Sequence, residues 1–256
     1  MATIFQTLTD CAAGLADLLL PVVCPACGSA PEAADGLCRR CNRMLLSLVS
    51  LPYCRRCGAT VGPNIPVRDD GCAGCPTTLP RFARTVRLGP YHDPLRGVIR
   101  DLKYHRRDMM RRRLGRLLGQ AVAGQCRDES FDLALAVPMH WRRRLVRGTD
   151  HAATLAKAVA GQLKLPAGDE LIRIRHTPPQ AYLPRSRRIQ NVRGAFAVRR
   201  ADSIAGANVL LIDDVTTTGA TANEAAGTLL KAGAARVCLA VVAKSEPPTA
   251  YGQHFA

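Results

Sequence analysis

Residues 209–221 constrain the fold of this chain more than any other part of the sequence. The first four residues, Val-Leu-Leu-Ile, have the length and branched apolar side chains of a buried parallel strand. Asp213 and Asp214 follow directly, then a loop of small residues, and then residues 222–232, which have the pattern of a helix. This order predicts an α/β sheet with a ligand-binding loop at the carboxyl end of a strand.

The loop has the composition of an anion-binding turn. Backbone N–H groups in such a loop and at the start of the helix converge on an anion, and threonine hydroxyls add donors. Asp213 and Asp214 suit a diol, because carboxylates accept hydrogen bonds from hydroxyl groups. A phosphate beside a diol describes a ribose 5-phosphate; the alternative is an ordinary turn in which one of the acids caps a neighbouring group. The candidate ligand-binding residues are Asp213, Asp214, Thr216, Thr217, Thr218, Gly219, Ala220 and Thr221.

This stretch resembles the phosphoribosyl pyrophosphate (PRPP) loop of type I phosphoribosyltransferases, from the two acids through the Thr-Thr-Gly turn. In that family the acids hold the 2′- and 3′-hydroxyls of ribose, and the loop holds the 5′-phosphate. The resemblance implies PRPP or a related phosphoribosyl compound as the ligand, with Mg²⁺ accompanying the pyrophosphate.

Eight of the eleven cysteines form four Cys-x-x-Cys pairs: Cys24 and Cys27, Cys38 and Cys41, Cys54 and Cys57, and Cys72 and Cys75. Their spacing is that of zinc ribbons, and no histidine precedes His92. We therefore predict two all-cysteine structural Zn²⁺ sites, paired in sequence order rather than interleaved. The alternative is a module of reduced thiols without metal. We expect this zinc-ribbon module, residues 21–80, to need metal to fold.

Residues 1–20 carry apolar side chains at spacings of three and four, which predicts an amphipathic helix that packs on a neighbouring module or binds a partner. Asp10 and Asp17 interrupt its apolar stretch, so it does not resemble a signal peptide. No apolar run has the length of a membrane span. Paired cysteines without export favour metal binding over disulfides, and we expect a cytoplasmic location.

Strands and helices alternate over residues 81–256, which predicts an α/β domain with a doubly wound, mostly parallel sheet. We expect strands at 83–91, 132–138, 171–175, 195–198, 209–212 and 237–243. We expect helices at 94–103, around 110–122, at 150–163 and at 222–232.

Two further segments are expected at the ligand end of this sheet. The first follows strand 132–138, where phosphoribosyltransferases place a pyrophosphate loop. There Arg142, Arg143 and Arg144 would neutralise the charge of the pyrophosphate, and His140 would assist them. The alternative role for His140 is structural, as a partly buried and hydrogen-bonded histidine. The second, residues 177–196, contains prolines and arginines and would form either a mobile lid over a charged substrate or a surface loop. Its candidate lid residues are Arg185, Arg187 and Arg188.

The net charge of +16 falls entirely on residues 81–256, which hold thirty basic and fourteen acidic side chains. Such a surface attracts polyphosphates and nucleic acid. The densest basic patch is one helix face, which could follow a phosphodiester backbone or could simply be solvated. Its arginines are Arg106, Arg107, Arg111, Arg112, Arg113 and Arg116.

Taken together, these motifs resemble those of ComF-family proteins over residues 24–243. Seven motifs occur in the same order as in that family. They are the four cysteine pairs, Leu102-Lys103-Tyr104, Val137-Pro138-Met139-His140, Arg147-Gly148, Thr177-Pro178-Pro179-Gln180, Asn191-Val192-Arg193-Gly194-Ala195-Phe196, and the loop that follows Asp213 and Asp214. The resemblance implies a type I phosphoribosyltransferase fold behind a double zinc ribbon. It also implies a role in natural transformation, where incoming single-stranded DNA is handled in the cytoplasm, with a DNA-uptake helicase as a partner. Thr149-Asp150-His151 departs from the Phe-Asn-Gln that relatives commonly carry there.

Three functions fit these observations. The first is a PRPP- or nucleotide-binding protein of DNA uptake. The second is an active phosphoribosyltransferase on an unidentified base, although the sequence contains no recognisable nucleobase pocket. The third is a PRPP sensor without catalytic activity.

Overall fold

A computed structural model of the chain describes residues 23–30, 36–62, 71–76, 80–104, 108–140, 150–178 and 183–246. The expected helix at residues 1–20 and the arginines Arg142, Arg143 and Arg144 lie outside these ranges. The helices are α1 (Arg39–Val49), α2 (Leu95–Tyr104), α3 (Asp108–Gln125), α4 (His151–Leu163), α5 (Arg185–Val192) and α6 (Ala220–Lys231). The strands are β1 (Arg84–Pro90), β2 (Leu133–Ala136), β3 (Ala167–Gly168), β4 (Leu171–Arg173), β5 (Phe196–Val198), β6 (Asn208–Thr216) and β7 (Arg236–Lys244). In the part of the chain so described, no helix is both long and apolar enough to cross a membrane.

Five strands form one parallel sheet in the order β1-β7-β6-β2-β3. The central strand β6 is apolar at every position from Val209 to Ile212, because helices cover both of its faces. Leu210 and Ile212 face a core shared with α3 and α4, whereas Val209 and Leu211 face a core shared with α6. This arrangement confirms the predicted doubly wound parallel sheet.

The zinc-ribbon module packs directly on this sheet through α1, a helix that the cysteine spacing did not predict. Leu45 and Leu48 of α1 are fully buried in the same core as Leu88 of β1. On the neighbouring surface, Arg113 Nη2 of α3 donates a hydrogen bond to Asn42 Oδ1 at 2.7 Å. The apolar face of α1 therefore joins the module to the domain that follows it.

Two expectations differ from the structure. The strands expected at 171–175 and 195–198 pair with each other as an antiparallel ribbon, β4 with β5, outside the main sheet.

The basic face expected on α3 is also incomplete. Arg111 is buried and donates from Nη2 to the Leu102 carbonyl at 2.8 Å, so in the described part of that face only Arg112 and Arg116 are exposed.

Candidate functional site

Strand β6 extends beyond its neighbour β2, and this difference in length creates the edge on which the candidate site lies. Pairing with β2 stops at Ile212, whereas pairing with β7 continues to Thr216. Asp213 and Asp214 therefore lie within the projecting end of β6, not after it as the sequence indicated. Adjacent residues of a strand point to opposite faces, so the two carboxylates flank this projecting end.

A cavity of about 400 Å³ opens at this end of the sheet. Both acids line it, together with the whole loop that follows them and the first residues of α6. Three residues outside the loop complete the lining: Tyr91 after β1, Ser245 after β7, and Arg188 of α5. The structure thus brings the candidate ligand-binding residues 213, 214 and 216–221 together in one cavity, and adds one of the three candidate lid arginines.

The two carboxylates are held by the backbone beside them. Asp213 Oδ1 accepts a hydrogen bond from the Asp214 N–H at 2.9 Å, and Asp214 Oδ1 accepts one from the Val215 N–H at 2.7 Å. Both side chains are partly buried. A carboxylate with one oxygen fixed in this way has a restricted orientation, which suits it to accept hydrogen bonds from a bound polar group.

Gly219 sets the geometry at the start of α6. It occupies the N-cap position with φ of 78°, in the left-handed region that glycine adopts without strain, and as a glycine it has no side chain of its own to cap the helix. Thr218 Oγ1 accepts a longer hydrogen bond, 3.4 Å, from the Ala220 N–H. The positive end of the helix dipole and hydroxyl groups thus meet at the cavity wall, an arrangement that binds anions.

The end of β7 supports the loop from behind. Lys244 Nζ donates a hydrogen bond to the Thr217 carbonyl, and the Ser245 N–H donates one to the Thr216 carbonyl at 2.8 Å. Sequence reasoning missed Lys244, Ser245 and Tyr91 as parts of this site. The sequence could have indicated them only through their position in the chain, because each lies at the carboxyl end of a strand, where the ligand site of a parallel sheet is expected.

The remaining candidates lie in other environments. His140 is buried and makes an edge-to-face contact with His176, with ring centroids 5.0 Å apart, and it is not among the residues that line the cavity. Part of the expected lid is helix α5 rather than loop. Arg188 donates from Nε to the Leu183 carbonyl at 3.1 Å, Arg187 is exposed, and the side chain of Arg185 lies outside the described residues.

The eight paired cysteines form two clusters. The first four along the chain make one cluster and the last four make the other, as predicted. One cluster contains Cys24, Cys27, Cys38 and Cys41, and the other contains Cys54, Cys57, Cys72 and Cys75. The Sγ–Sγ distances within the clusters include 3.6 Å, 3.7 Å and 3.8 Å for the pairs 27/38, 54/75 and 57/72. Four sulfurs about 2.3 Å from one zinc ion would be about 3.8 Å apart, so both clusters fit tetrahedral Zn²⁺.

Local turns shape both clusters, and the pKa of individual thiols moves in both directions: burial raises that of Cys41, Cys57 and Cys72, whereas that of Cys27 is lowered. Each half of the module begins with the same turn, in which Gly28 or Gly58 has φ of 78° and donates its N–H to the carbonyl of Cys24 or Cys54 at 2.8 Å. In the first cluster, hydrogen bonds with Ser29 lower the pKa of the Cys27 thiol to about 6. A lowered pKa favours the thiolate, which is the form that binds zinc.

The second half of the zinc-ribbon module, which begins at Cys54 and which we call the second zinc knuckle, contacts residues 244–246 at the end of β7. Glu246 Oε1 accepts a hydrogen bond from the Thr60 N–H at 2.5 Å and pairs with Arg87 Nη1 at 3.4 Å. The side chains of Glu246 and Arg87 are 5% and 1% exposed, so this ion pair is buried. Since Lys244 and Ser245 of the same segment hold the loop, residues 244–246 connect the knuckle to the cavity.

Comparison with known proteins agrees with this architecture. Residues 15–76 match the double zinc ribbon domain family, and residues 149–251 match the phosphoribosyl transferase domain family. A solved structure of glutamine PRPP amidotransferase from B. subtilis is 24% identical and matches 50% of this chain and 25% of its own, with a TM-score of 0.36. The fold and the cysteine clusters together define a phosphoribosyltransferase-type α/β protein that carries a double zinc ribbon.

Two curated relatives cover most of the chain. Competence protein F of Haemophilus influenzae is 31% identical over 80% of this chain and 89% of its own length. DNA utilization protein YhgH of Salmonella typhi is 33% identical over 79% of this chain and 87% of its own length. The chain belongs to the competence protein F (ComF) family.

Proposed function

We propose that this protein binds PRPP or a related phosphoribosyl nucleotide and handles single-stranded DNA in the cytoplasm during DNA uptake. One observation carries the ligand half of the proposal. A single cavity contains two backbone-oriented carboxylates beside the glycine-capped start of a helix. A ligand that carries both a diol and a phosphate, such as a ribose 5-phosphate, offers one group to each of these features.

Each part of the cavity has a proposed role. Asp213 and Asp214 accept hydrogen bonds from the ribose hydroxyls, and residues 216–221 bind the 5′-phosphate through N–H and hydroxyl groups. Arg188 lies where it can contact the anionic ligand. His140 and Arg142–Arg144 remain proposed contacts for the pyrophosphate. Mg²⁺, which prefers carboxylate and phosphate oxygens, would supply charge neutralisation when bound with PRPP.

The DNA half of the proposal is supported by the relatives and by charge. The relatives' names refer to competence and to DNA utilization. The net charge of +16 favours a polyanionic partner. Cysteines grouped as two all-cysteine metal sites suit a reducing compartment, and a helicase of the uptake machinery is the partner that the family resemblance suggests.

Calorimetry of PRPP binding tests the ligand half. We expect binding by the wild type that strengthens with Mg²⁺, and a loss of about 2 kcal/mol or more when Asp213→Asn and Asp214→Asn are combined, because hydrogen bonds to charged groups are lost. The matched control combines Asp128→Asn with Asp202→Asn, two exposed acids. Equal PRPP affinity in the wild type and the Asp213/Asp214 variant would remove these acids from the site.

One observation favours the second candidate function, an active phosphoribosyltransferase. A neighbouring cavity of about 490 Å³ shares Thr218, Gly219 and Ala220 with the first, and its lining also includes the apolar side chains of Phe82 and Ile189. An apolar wall next to a phosphoribosyl site suits a planar base. Release of pyrophosphate from PRPP with any common base, abolished in the Asp213/Asp214 variant, would establish this activity. Tight binding without turnover would favour the PRPP sensor.

A further inference from the structure

A third cavity, of about 700 Å³, lies where the zinc-ribbon module meets the amino ends of strands β1 and β7. Four arginines line it. Arg55 and Arg56 come from the second zinc knuckle, Arg84 begins β1, and Arg236 begins β7. We refer to this cavity as the arginine groove.

The protein itself fixes two of these arginines. Arg56 donates from Nη1 to the carbonyls of Phe82 and Ala83 at 2.9 and 2.8 Å, and from Nη2 to that of Pro80 at 2.6 Å. Arg84 pairs through Nε with Glu129 at 3.2 Å. Their charges therefore form a rigid wall of the groove, and their side chains lose little further freedom when a ligand binds.

The other two arginines are exposed to solvent. Arg55 is exposed, and the Arg236 side chain is 46% exposed with Nη2 at 3.4 Å from Glu129 Oε2. Glu129 pairs with Arg84 and Arg236, and the described residues that line the groove include four arginines and no acid. The groove consequently has a strongly positive potential, which an anionic ligand would neutralise.

The arginine groove is far from residues 216–221, the proposed phosphate-binding loop, which we call the phosphate loop. Arg236 begins β7 and Lys244 ends it, and eight steps of about 3.3 Å place the two ends about 26 Å apart. The groove and the loop are at opposite ends of the sheet, because the strands are parallel. A ligand can therefore occupy the groove without displacing one at the loop.

We propose that the arginine groove is the binding site for the phosphodiester backbone of single-stranded DNA. This inference rests on the DNA-handling part of the proposed function and gives it a location. Guanidinium groups bind phosphates bidentately, and several at fixed positions suit a chain of phosphates better than a single anion. One face of the ring of Tyr53, the aromatic residue of the groove, is covered by the Arg87 guanidinium, whose Cζ lies 4.8 Å from the ring centroid. Recognition would therefore depend on phosphates rather than on base stacking, and would be independent of sequence.

Fluorescence anisotropy with a labelled oligothymidine of about 20 nucleotides, longer than a typical single-strand site, tests the proposal. The test variant combines Arg55→Gln with Arg236→Gln and leaves the structural Arg56 and Arg84 unchanged. We expect binding to weaken about 10-fold, and the slope of log K against log salt to become shallower by about 1.4, which is about 0.7 for each phosphate that the variant no longer neutralises. The matched control removes the same charge from α3 by combining Arg112→Gln with Arg116→Gln, and we expect it to bind as the wild type does.

Three outcomes would overturn the inference. Unchanged DNA affinity and salt slope in the Arg55/Arg236 variant would exclude the groove. A loss in the α3 variant alone would assign DNA to the basic helix face instead. A wild type that binds no oligothymidine at physiological salt would refute the DNA half of the proposed function as well, whereas PRPP calorimetry on the same preparation would report separately on the ligand half. Arg55→Gln alone serves as the test variant if the double substitution lowers stability.

Discussion

Lys244 is the residue that connects the last strand of the sheet to the phosphate loop. Its Nζ donates a hydrogen bond to the Thr217 carbonyl, so it holds the loop backbone in the shape that lines the cavity. A residue with this role acts on the ligand only through the loop. It is a positioning residue, and its effect should be seen in affinity.

Lys244→Met should weaken PRPP binding by about 1 kcal/mol or more, because the variant leaves a loop carbonyl without its charged donor. Titration calorimetry measures this change. Lys231→Met, which removes an exposed lysine at the end of α6, is the control and should leave the affinity within experimental error. Equal losses in both variants would show that general charge, and not the bond to Thr217, matters.

Sequence alone indicates which residues lie close together where they are contiguous in the chain. Asp213, Asp214 and the loop are contiguous, so their shared cavity followed from one stretch of sequence. Tyr91 and Ser245 reach the same cavity from β1 and β7, and their arrival depends on strand order, which no local pattern encodes. Arg111 was wrongly placed on a solvated face, since helical spacing alone does not say which of several adjacent arginines turns inward.

At the scale of elements, α1 packs the zinc-ribbon module on the sheet through apolar side chains. Leu45→Ala should lower the free energy of unfolding by about 2–5 kcal/mol, because it leaves a cavity in a fully buried core. Denaturant titration of the metal-loaded protein measures the loss. Leu46→Ala removes the same number of atoms from the adjacent residue, which is 54% exposed, and should change stability by about 0.5 kcal/mol or less.

A Leu45→Ala variant as stable as Leu46→Ala would mean that α1 does not pack on the sheet in solution. A loss confined to Leu45→Ala would confirm that the module and the domain share one core.

The main strands and helices were predicted correctly because each has a strong apolar period or run. Helix α5 was missed because it is short, polar and follows Pro184, features that also describe a loop. Helix α1 was missed because cysteine spacing dominated the interpretation of residues 38–49, although Met44, Leu45 and Leu48 lie at helical intervals. The antiparallel pairing of β4 with β5 could not be predicted, since strand direction is a property of topology and not of composition.

At the scale of the whole molecule, the zinc sites and the phosphate loop are physically connected. Thr60 of the second knuckle bonds to Glu246, and the neighbouring Lys244 and Ser245 hold the loop. The buried pair of Arg87 and Glu246 makes this connection sensitive to disruption, because removing one member leaves an uncompensated buried charge.

Removal of zinc should therefore affect both modules. Two Cys₄ clusters predict two zinc ions per chain, measurable by atomic emission. Chelation should lower the thermal midpoint and weaken PRPP binding, and restoring Zn²⁺ should reverse both changes. Unchanged PRPP affinity in zinc-free protein would show that the loop does not depend on the module.

The proposed ligand site requires that a sugar phosphate binds where β6 meets α6. A crystal structure of the protein soaked with PRPP and Mg²⁺ tests this requirement directly. We expect the 5′-phosphate within about 3 Å of backbone N–H groups at residues 217–221 and the ribose hydroxyls against Asp213 and Asp214. A loop cavity filled by the protein's own side chains, or PRPP bound elsewhere on the molecule, would contradict it.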